Sequence, residues 1–190
     1  GSEQMRMYLQ NHVAKWGTND SKADDMAVRV GNYYCDKIHT FRTTRGGPYQ
    51  AGLFALHFQW TFGKRTGALP CGRKAGTPTA PGISAGAGMD TKGITSLMGS
   101  LAKLDYSKAP DGSVLDLMLH PSTIGGPEGV ENLAALIRTH FDRGGNYLQF
   151  NIVDTDTLED AQRNPERHAG LQVRITGYSA YFTKISRYEQ

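Results

Sequence analysis

Leu171-Gln172-Val173-Arg174-Ile175-Thr176-Gly177-Tyr178-Ser179-Ala180-Tyr181-Phe182 is the most regular stretch of this 190-residue chain. Leu171, Val173 and Ile175 alternate with Gln172, Arg174 and Thr176. Beyond Gly177, Ala180 and Phe182 alternate with Ser179, Tyr181 and Thr183. A period of two on both sides predicts two strands that meet at one glycine. Glycine takes positive φ without the steric penalty of a Cβ, so the pattern by itself describes a hairpin turn. Nothing in spacing or periodicity assigns chemistry to it.

The residues before the hairpin extend the same regularity. Tyr147 to Val153 predicts a strand, with Leu148, Phe150 and Ile152 on one face. Asp156 followed by Glu159 resembles a capping box that opens a short helix ending before Pro165. Leu133, Leu136, Ile137, His140 and Phe141 fall on one helical face, which Gly144-Gly145 stops as a C-cap. Val114 to Leu119 predicts another strand, and Ile94, Leu97, Met98 and Leu101 a short helix. Residues 63–93 are rich in glycine, hold Pro70, Pro78 and Pro81, and predict a long loop. The aromatic run at 51–62 predicts a buried strand containing His57. Met26, Val30, Tyr33, Tyr34, Ile38 and Phe41 predict an amphipathic helix over 24–41.

Composition removes several function classes. The net charge is +3, with basic residues scattered rather than massed, so a nucleic-acid partner is not expected. No apolar run approaches a membrane span and no signal peptide is visible, so the expectation is a cytoplasmic chain without a membrane partner. Two cysteines, Cys35 and Cys71, supply neither a disulfide scaffold nor a zinc site. The six histidines show no pair at metal-ligand spacing, so no metal is expected. The glycines at 82, 86 and 88 lack the spacing of a dinucleotide or phosphate-binding loop.

Arg174-Ile175-Thr176-Gly177-Tyr178-Ser179-Ala180-Tyr181-Phe182 is similar to the radical-bearing motif of glycyl radical enzymes. Five further blocks resemble the same family in the same order. They are Lys15-Trp16-Gly17-Thr18-Asn19-Asp20 with Arg45-Gly46-Gly47, Gly72-Arg73-Lys74-Ala75-Gly76, Ala102-Lys103-Leu104-Asp105, Gly144 to Asn151, and Asp160 to Glu166. The resemblance therefore covers nearly the whole chain.

The resemblance implies the C-terminal part of a ten-stranded α/β barrel, with a radical-glycine hairpin loop. Residues 1–125 would be its last strands and helices. Residues 126–190 would be a glycine radical domain, truncated at its C-terminal end. Gly177 is the implied radical carrier. A Cα with no side chain can become planar and share its unpaired electron with the flanking amides, and it offers no Cβ bond for further decay. Arg174 and Tyr178 are expected as supports of that loop.

In the family, a separate radical-SAM activating enzyme, using S-adenosylmethionine and a 4Fe–4S cluster, installs the radical. The implied chain binds no cofactor of its own. The radical generates a thiyl on a cysteine, and here that cysteine must lie outside the chain. Cys35 sits within a predicted helix and Cys71 occupies a position where the family commonly has aspartate. Neither matches the catalytic loop, although Cys71 lies beside Arg73 and Lys74.

The implied partners are the remainder of the barrel, the activating enzyme, a small-molecule substrate and, for the complete enzyme, a second copy in a homodimer. A bacterial microcompartment is one implied location. Gly-Tyr-Ser-Ala-Tyr-Phe resembles the dehydratase and lyase branches, which cleave carbon–heteroatom bonds in small polar molecules. The isolated chain is expected to be inactive. Alternatives are a formate acetyltransferase of the pyruvate formate-lyase type and a non-catalytic spare-part radical domain that restores a damaged enzyme.

Overall fold

The computed structural model describes residues 2–175 and 177–190. Two helices come first, α1 (Ser2–His12) and α2 (Ser21–His39). Asp20 opens α2, its carboxylate accepting from the Lys22 N–H at 3.0 Å. Between the two helices the Lys15-to-Asp20 block proves to be a packing knot. The Lys15 Nζ donates to the Leu9 and Val13 carbonyls at 2.7 and 2.6 Å. The Trp16 indole donates to the Ile83 carbonyl at 2.8 Å. Gly17, at φ +93°, lies so close to Ala85 that a Cβ would sit 2.8 Å from its methyl.

β1 (Gly52–Leu53) is only two residues long and is followed by α3 (Phe58–Arg65). This corrects the strand expected over 51–62. The aromatic run suggested strand propensity, but Phe58 and Phe62 are four residues apart and stack on one helix face, ring centres 5.3 Å apart. His57 precedes the helix and is exposed, so it is not the core histidine expected. On the inner side, Gly63 packs against the loop, where a Cβ would meet the Thr77 carbonyl at 2.5 Å.

The stretch between α3 and α4 (Gly93–Leu101) has no helix or strand of its own, as expected. It is nonetheless ordered by Arg73, whose guanidinium donates to the carbonyls of Gly63, Gly67, Thr77 and Pro78. Gly82 bridges Leu115, and the Ser84 hydroxyl exchanges hydrogen bonds with the backbone of Asp116 at 2.8 and 3.1 Å.

β2 (Gly112–Leu119) is the central strand. After α5 (Gly126–Asp142) the chain returns as β3 (Tyr147–Ile152), parallel to β2, with Val114 opposite Tyr147 through to Leu119 opposite Ile152. On the other side Gly52 and Leu53 of β1 pair in parallel with Gly112 and Ser113. Parallel strands joined by helices are the α/β arrangement expected. Gly144 ends the α5 segment at φ +95°, and the Gly145 N–H returns to the His140 carbonyl at 3.0 Å.

α6 (Thr155–Arg163) begins at Asp154, whose carboxylate accepts the Thr157 N–H at 2.7 Å. The cap therefore lies two residues before the expected Asp156. Both are acidic residues near a helix start, and only the backbone geometry separates them. The chain ends in an antiparallel hairpin of β4 (Gln172–Ile175) and β5 (Tyr178–Tyr181). Thr176, expected on the outward face of the first strand, lies outside the described residues.

The main core lies on one side of the parallel sheet. Leu115 and Leu117 of β2, with Leu148 and Phe150 of β3, meet Leu97 and Leu101 of α4 and Leu136 of α5. Ile152, expected with them, is largely exposed at the strand end. The stripe expected to bury α2 is also turned outward: Met26, Val30, Tyr33 and Tyr34 are exposed, Tyr33 by 71%. What α2 buries is Cys35, in a second small cluster with Ala51 and Ala109, and Asp24. Burial raises the Cys35 thiol pKa, as suits a core residue.

Candidate active site

The sheet has a second face. Along β3 the residues Tyr147, Gln149 and Asn151 alternate with the core-facing Leu148 and Phe150, and they meet the hairpin. The Asn151 side chain bonds the backbone of Arg174 twice, accepting from its N–H at 2.6 Å and donating to its carbonyl at 2.9 Å. An amide that both accepts and donates replaces the ladder a neighbouring strand would supply. The Tyr147 hydroxyl accepts from the Arg174 guanidinium at 3.1 Å. The Gln149 Oε1 accepts from the N–H of Gly177 at 3.2 Å. Three alternate residues of one strand thus position the hairpin and its tip.

Gly177 has φ +99°, a conformation an L side chain resists, and no heavy atom outside its chain neighbours lies within 4 Å of where a Cβ would stand. Its identity is therefore set by backbone geometry, not by crowding. Ile175 and Phe182 are buried, whereas Gly177, Tyr178 and Ser179 are exposed in this chain. Tyr178 pairs with Ile175 across the hairpin, and its ring is half exposed. A cleft of about 520 Å³ runs between β3 and β4, with Tyr147, Gln149, Asn151, Arg174 and Ser179 along it.

The turn leading into β4 is pinned from α6. Asp160 accepts from Asn164 at 2.7 Å and pairs with His168 at 2.6 Å. The His168 bond, with help from Asn164, holds the Asp160 carboxyl below the usual carboxylate range. Neither cysteine is near the tip in any described contact, and Cys71 sits half-buried in the loop that Arg73 organises. Among the described residues no group of three or more His, Cys, Asp or Glu is placed to hold a metal ion.

Residues 79–183 match the family model described as "Glycine radical", and residues 1–63 match one described as "Pyruvate formate lyase-like". The chain belongs to the glycyl radical enzyme family. It is 35% identical over 187 residues to the trans-4-hydroxy-L-proline dehydratase of Clostridioides difficile, covering 98% of this chain and 24% of that enzyme. A solved structure for 1,2-propanediol dehydration in Roseburia inulinivorans superposes with a TM-score of 0.93 at 39% identity, over 98% of this chain and 23% of that one. The glycerol-bound, B12-independent glycerol dehydratase of Clostridium butyricum gives 0.91 at 37% identity, over 98% and 24%. The chain thus has the fold of the C-terminal part of a glycyl radical enzyme barrel and spans about a quarter of the length of these relatives.

The sequence reading named Gly177, Arg174 and Tyr178 and missed Gln149, Asn151 and Tyr147. Their signal was present: three polar residues at i, i+2 and i+4, opposite an apolar face, mark a polar face on a strand whose other face is core. Replacing Asn151 by alanine leaves the Arg174 N–H and carbonyl without these partners. The expected cost is roughly 1–3 kcal/mol for two hydrogen bonds, felt locally. Hydrogen exchange should show faster exchange at Arg174, Ile175 and Gly177 with β2 amides unchanged.

Proposed function

We propose that this chain stores a protein radical on Gly177 for a glycyl radical dehydratase or related carbon–heteroatom lyase acting on a small hydroxylated molecule. The observation that carries the reading is the hairpin tip: a glycine held at φ +99°, with its N–H bound by Gln149, inside a segment matching the glycine radical model. Homolysis of one Gly177 Cα–H bond leaves a carbon radical flanked by amide nitrogen and carbonyl. The chain's own residues hold the tip. Asn151 fixes Arg174, and Gln149 fixes the glycine amide on which part of the spin rests.

In the complete enzyme the Gly177 radical takes a hydrogen atom from a cysteine thiol outside this chain, restoring the glycine CH₂ and leaving a thiyl. The thiyl removes a substrate hydrogen, and departure of a heteroatom group follows. A separate radical-SAM enzyme with a 4Fe–4S cluster installs the radical, and oxygen destroys it. The relatives named as hydroxyproline and glycerol dehydratases favour this over a formate acetyltransferase. The pyruvate formate lyase-like match over residues 1–63 reaches well beyond the radical segment and argues against a spare-part domain.

The test is anaerobic activation of the complete enzyme with a radical-SAM activator and reductant, followed by electron paramagnetic resonance. A doublet from the one remaining α-hydrogen of Gly177 is expected. Admitting air afterwards should cut the backbone at residue 177, seen as two fragments by mass spectrometry. An activated enzyme that shows a radical elsewhere, or an intact chain after air, would count against Gly177.

A further inference from the structure

β2 carries one residue that the fold does not account for. Asp116 stands in a strand whose other central residues are apolar, and both oxygens of its carboxyl are shielded from solvent without a hydrogen-bond partner among the described residues. Its backbone is satisfied by Ser84, so the side chain has no part in the turn beside it. Burial alone pushes the carboxyl up to about 6, so the folded chain resists its ionisation. A buried, unpartnered carboxyl is a cost, and a structural purpose for it is not visible.

Its position supplies a functional one. Asp116 and Gln149 are register partners of parallel strands, so their side chains stand side by side on the face away from the core. Gln149 is the residue whose Oε1 receives the Gly177 N–H. An amide side chain can present either its oxygen or its NH₂ to the glycine, and only the oxygen can accept. No hydrogen bond joins the two side chains, but a buried carboxyl at the neighbouring register position favours the NH₂ end of the amide dipole on its own side and leaves the oxygen turned to Gly177.

We propose that Asp116 is a positioning residue for the radical site, setting the orientation of the Gln149 amide and through it the hold on Gly177. The inference rests on the reading of Gly177 as the radical carrier. Around Asp116 the same face carries Val114 and Met118 from its own strand and Tyr147 and Asn151 from β3, with Ser84 on the adjoining segment. Arg174, on the hairpin strand that Asn151 binds, is engaged by the Tyr147 hydroxyl.

The test compares Asp116→Leu, Asp116→Asn, Gln149→Leu and the Asp116→Leu/Gln149→Leu pair in the complete enzyme, activated anaerobically. The readouts are spins per chain, the anaerobic lifetime of the Gly177 doublet and the urea midpoint at pH 8. Asp116→Leu and Gln149→Leu should each shorten the radical lifetime by about tenfold, the scale of one lost hydrogen bond. The pair should lose no more than either alone, because both act on one contact. Asp116→Asn keeps a carbonyl acceptor and should stay within about threefold of the parent.

Stability should move the other way. The carboxyl holds its proton to about 6 when folded and to about 3.9 when unfolded, so above both values ionisation favours the unfolded chain. At pH 8 Asp116→Asn should therefore raise the urea midpoint. An unchanged radical lifetime in a folded Asp116→Leu enzyme overturns the proposal. So do losses that multiply in the pair, or an Asp116→Asn enzyme as impaired as Asp116→Leu. Absence of any doublet in the unmutated enzyme would instead defeat the assignment of Gly177.

Discussion

Gly177→Ala is expected to abolish the doublet and all detectable turnover while leaving the protein folded. The two halves of that result have separate causes. A Cβ at this site would meet no heavy atom within 4 Å, so the methyl group itself is accommodated. The penalty is confined to the backbone, which holds φ +99° where alanine is strained by about 1–3 kcal/mol. That is too little to unfold a barrel, although it loosens the hairpin tip.

The radical is lost for a different reason. Removing the α-hydrogen of alanine leaves a carbon with no α-hydrogen, so the glycyl doublet cannot arise by atom count alone. A surviving alanyl radical would instead split on its three methyl hydrogens into a quartet. Electron paramagnetic resonance therefore separates a dead site from a merely altered one, and circular dichroism checks the fold. Full turnover from the alanine enzyme would refute the assignment of Gly177.

How much of this was legible beforehand depended on whether a residue's partner lay nearby in sequence. The hairpin could be read because its alternation and its glycine sit within twelve residues. The α5–β3 unit could be read because helical periodicity, a glycine stop and strand alternation follow one another without a break. Reading failed where one chemistry suits two structures. Aromatics at 58 and 62 serve a strand by propensity and a helix by spacing, and the structure chose the helix. It failed again where the right period did not bring burial: the stripe of Met26, Val30, Tyr33 and Tyr34 has the spacing of a core face and is exposed.

At the site, Gly177 and Arg174 were within reach because the motif is contiguous. Gln149 and Asn151 lie 28 and 23 residues from the groups they bind, and no local pattern pairs them. Asp116 is further still, visible only as a lone acid in an apolar strand. Resemblance supplied what periodicity could not, namely the expectation that the glycine carries chemistry and not just a turn.

The Ala102-to-Asp105 block shows the converse, a family-like motif whose work is structural. Lys103→Met should destabilise the protein by roughly 3–5 kcal/mol, the range for stripping one partner from a buried ion pair. Asp24 lies in the first turn of α2 with its side chain fully buried, and the Lys103 Nζ meets its Oδ2 at 2.6 Å. The Lys103 side chain keeps about a third of its surface in solvent at 34%, so the lysine loses little hydration by pairing. The burden falls on Asp24, whose buried carboxyl would be left without its partner.

Adding Asp24→Asn to Lys103→Met should recover most of the loss, since a neutral amide costs far less to bury than a lone carboxylate. Urea unfolding and hydrogen exchange along α2 and α4 would measure both steps. A double variant no better than Lys103→Met would show that the lysine stem, and not its charge, holds α2 to the turn that follows α4. Because α4 also supplies Leu97 and Leu101 to the underside of β2, a loss of the ion pair should reach the strand that carries Asp116. The expected order is fastest exchange in α2, then α4, and last in the centre of β2.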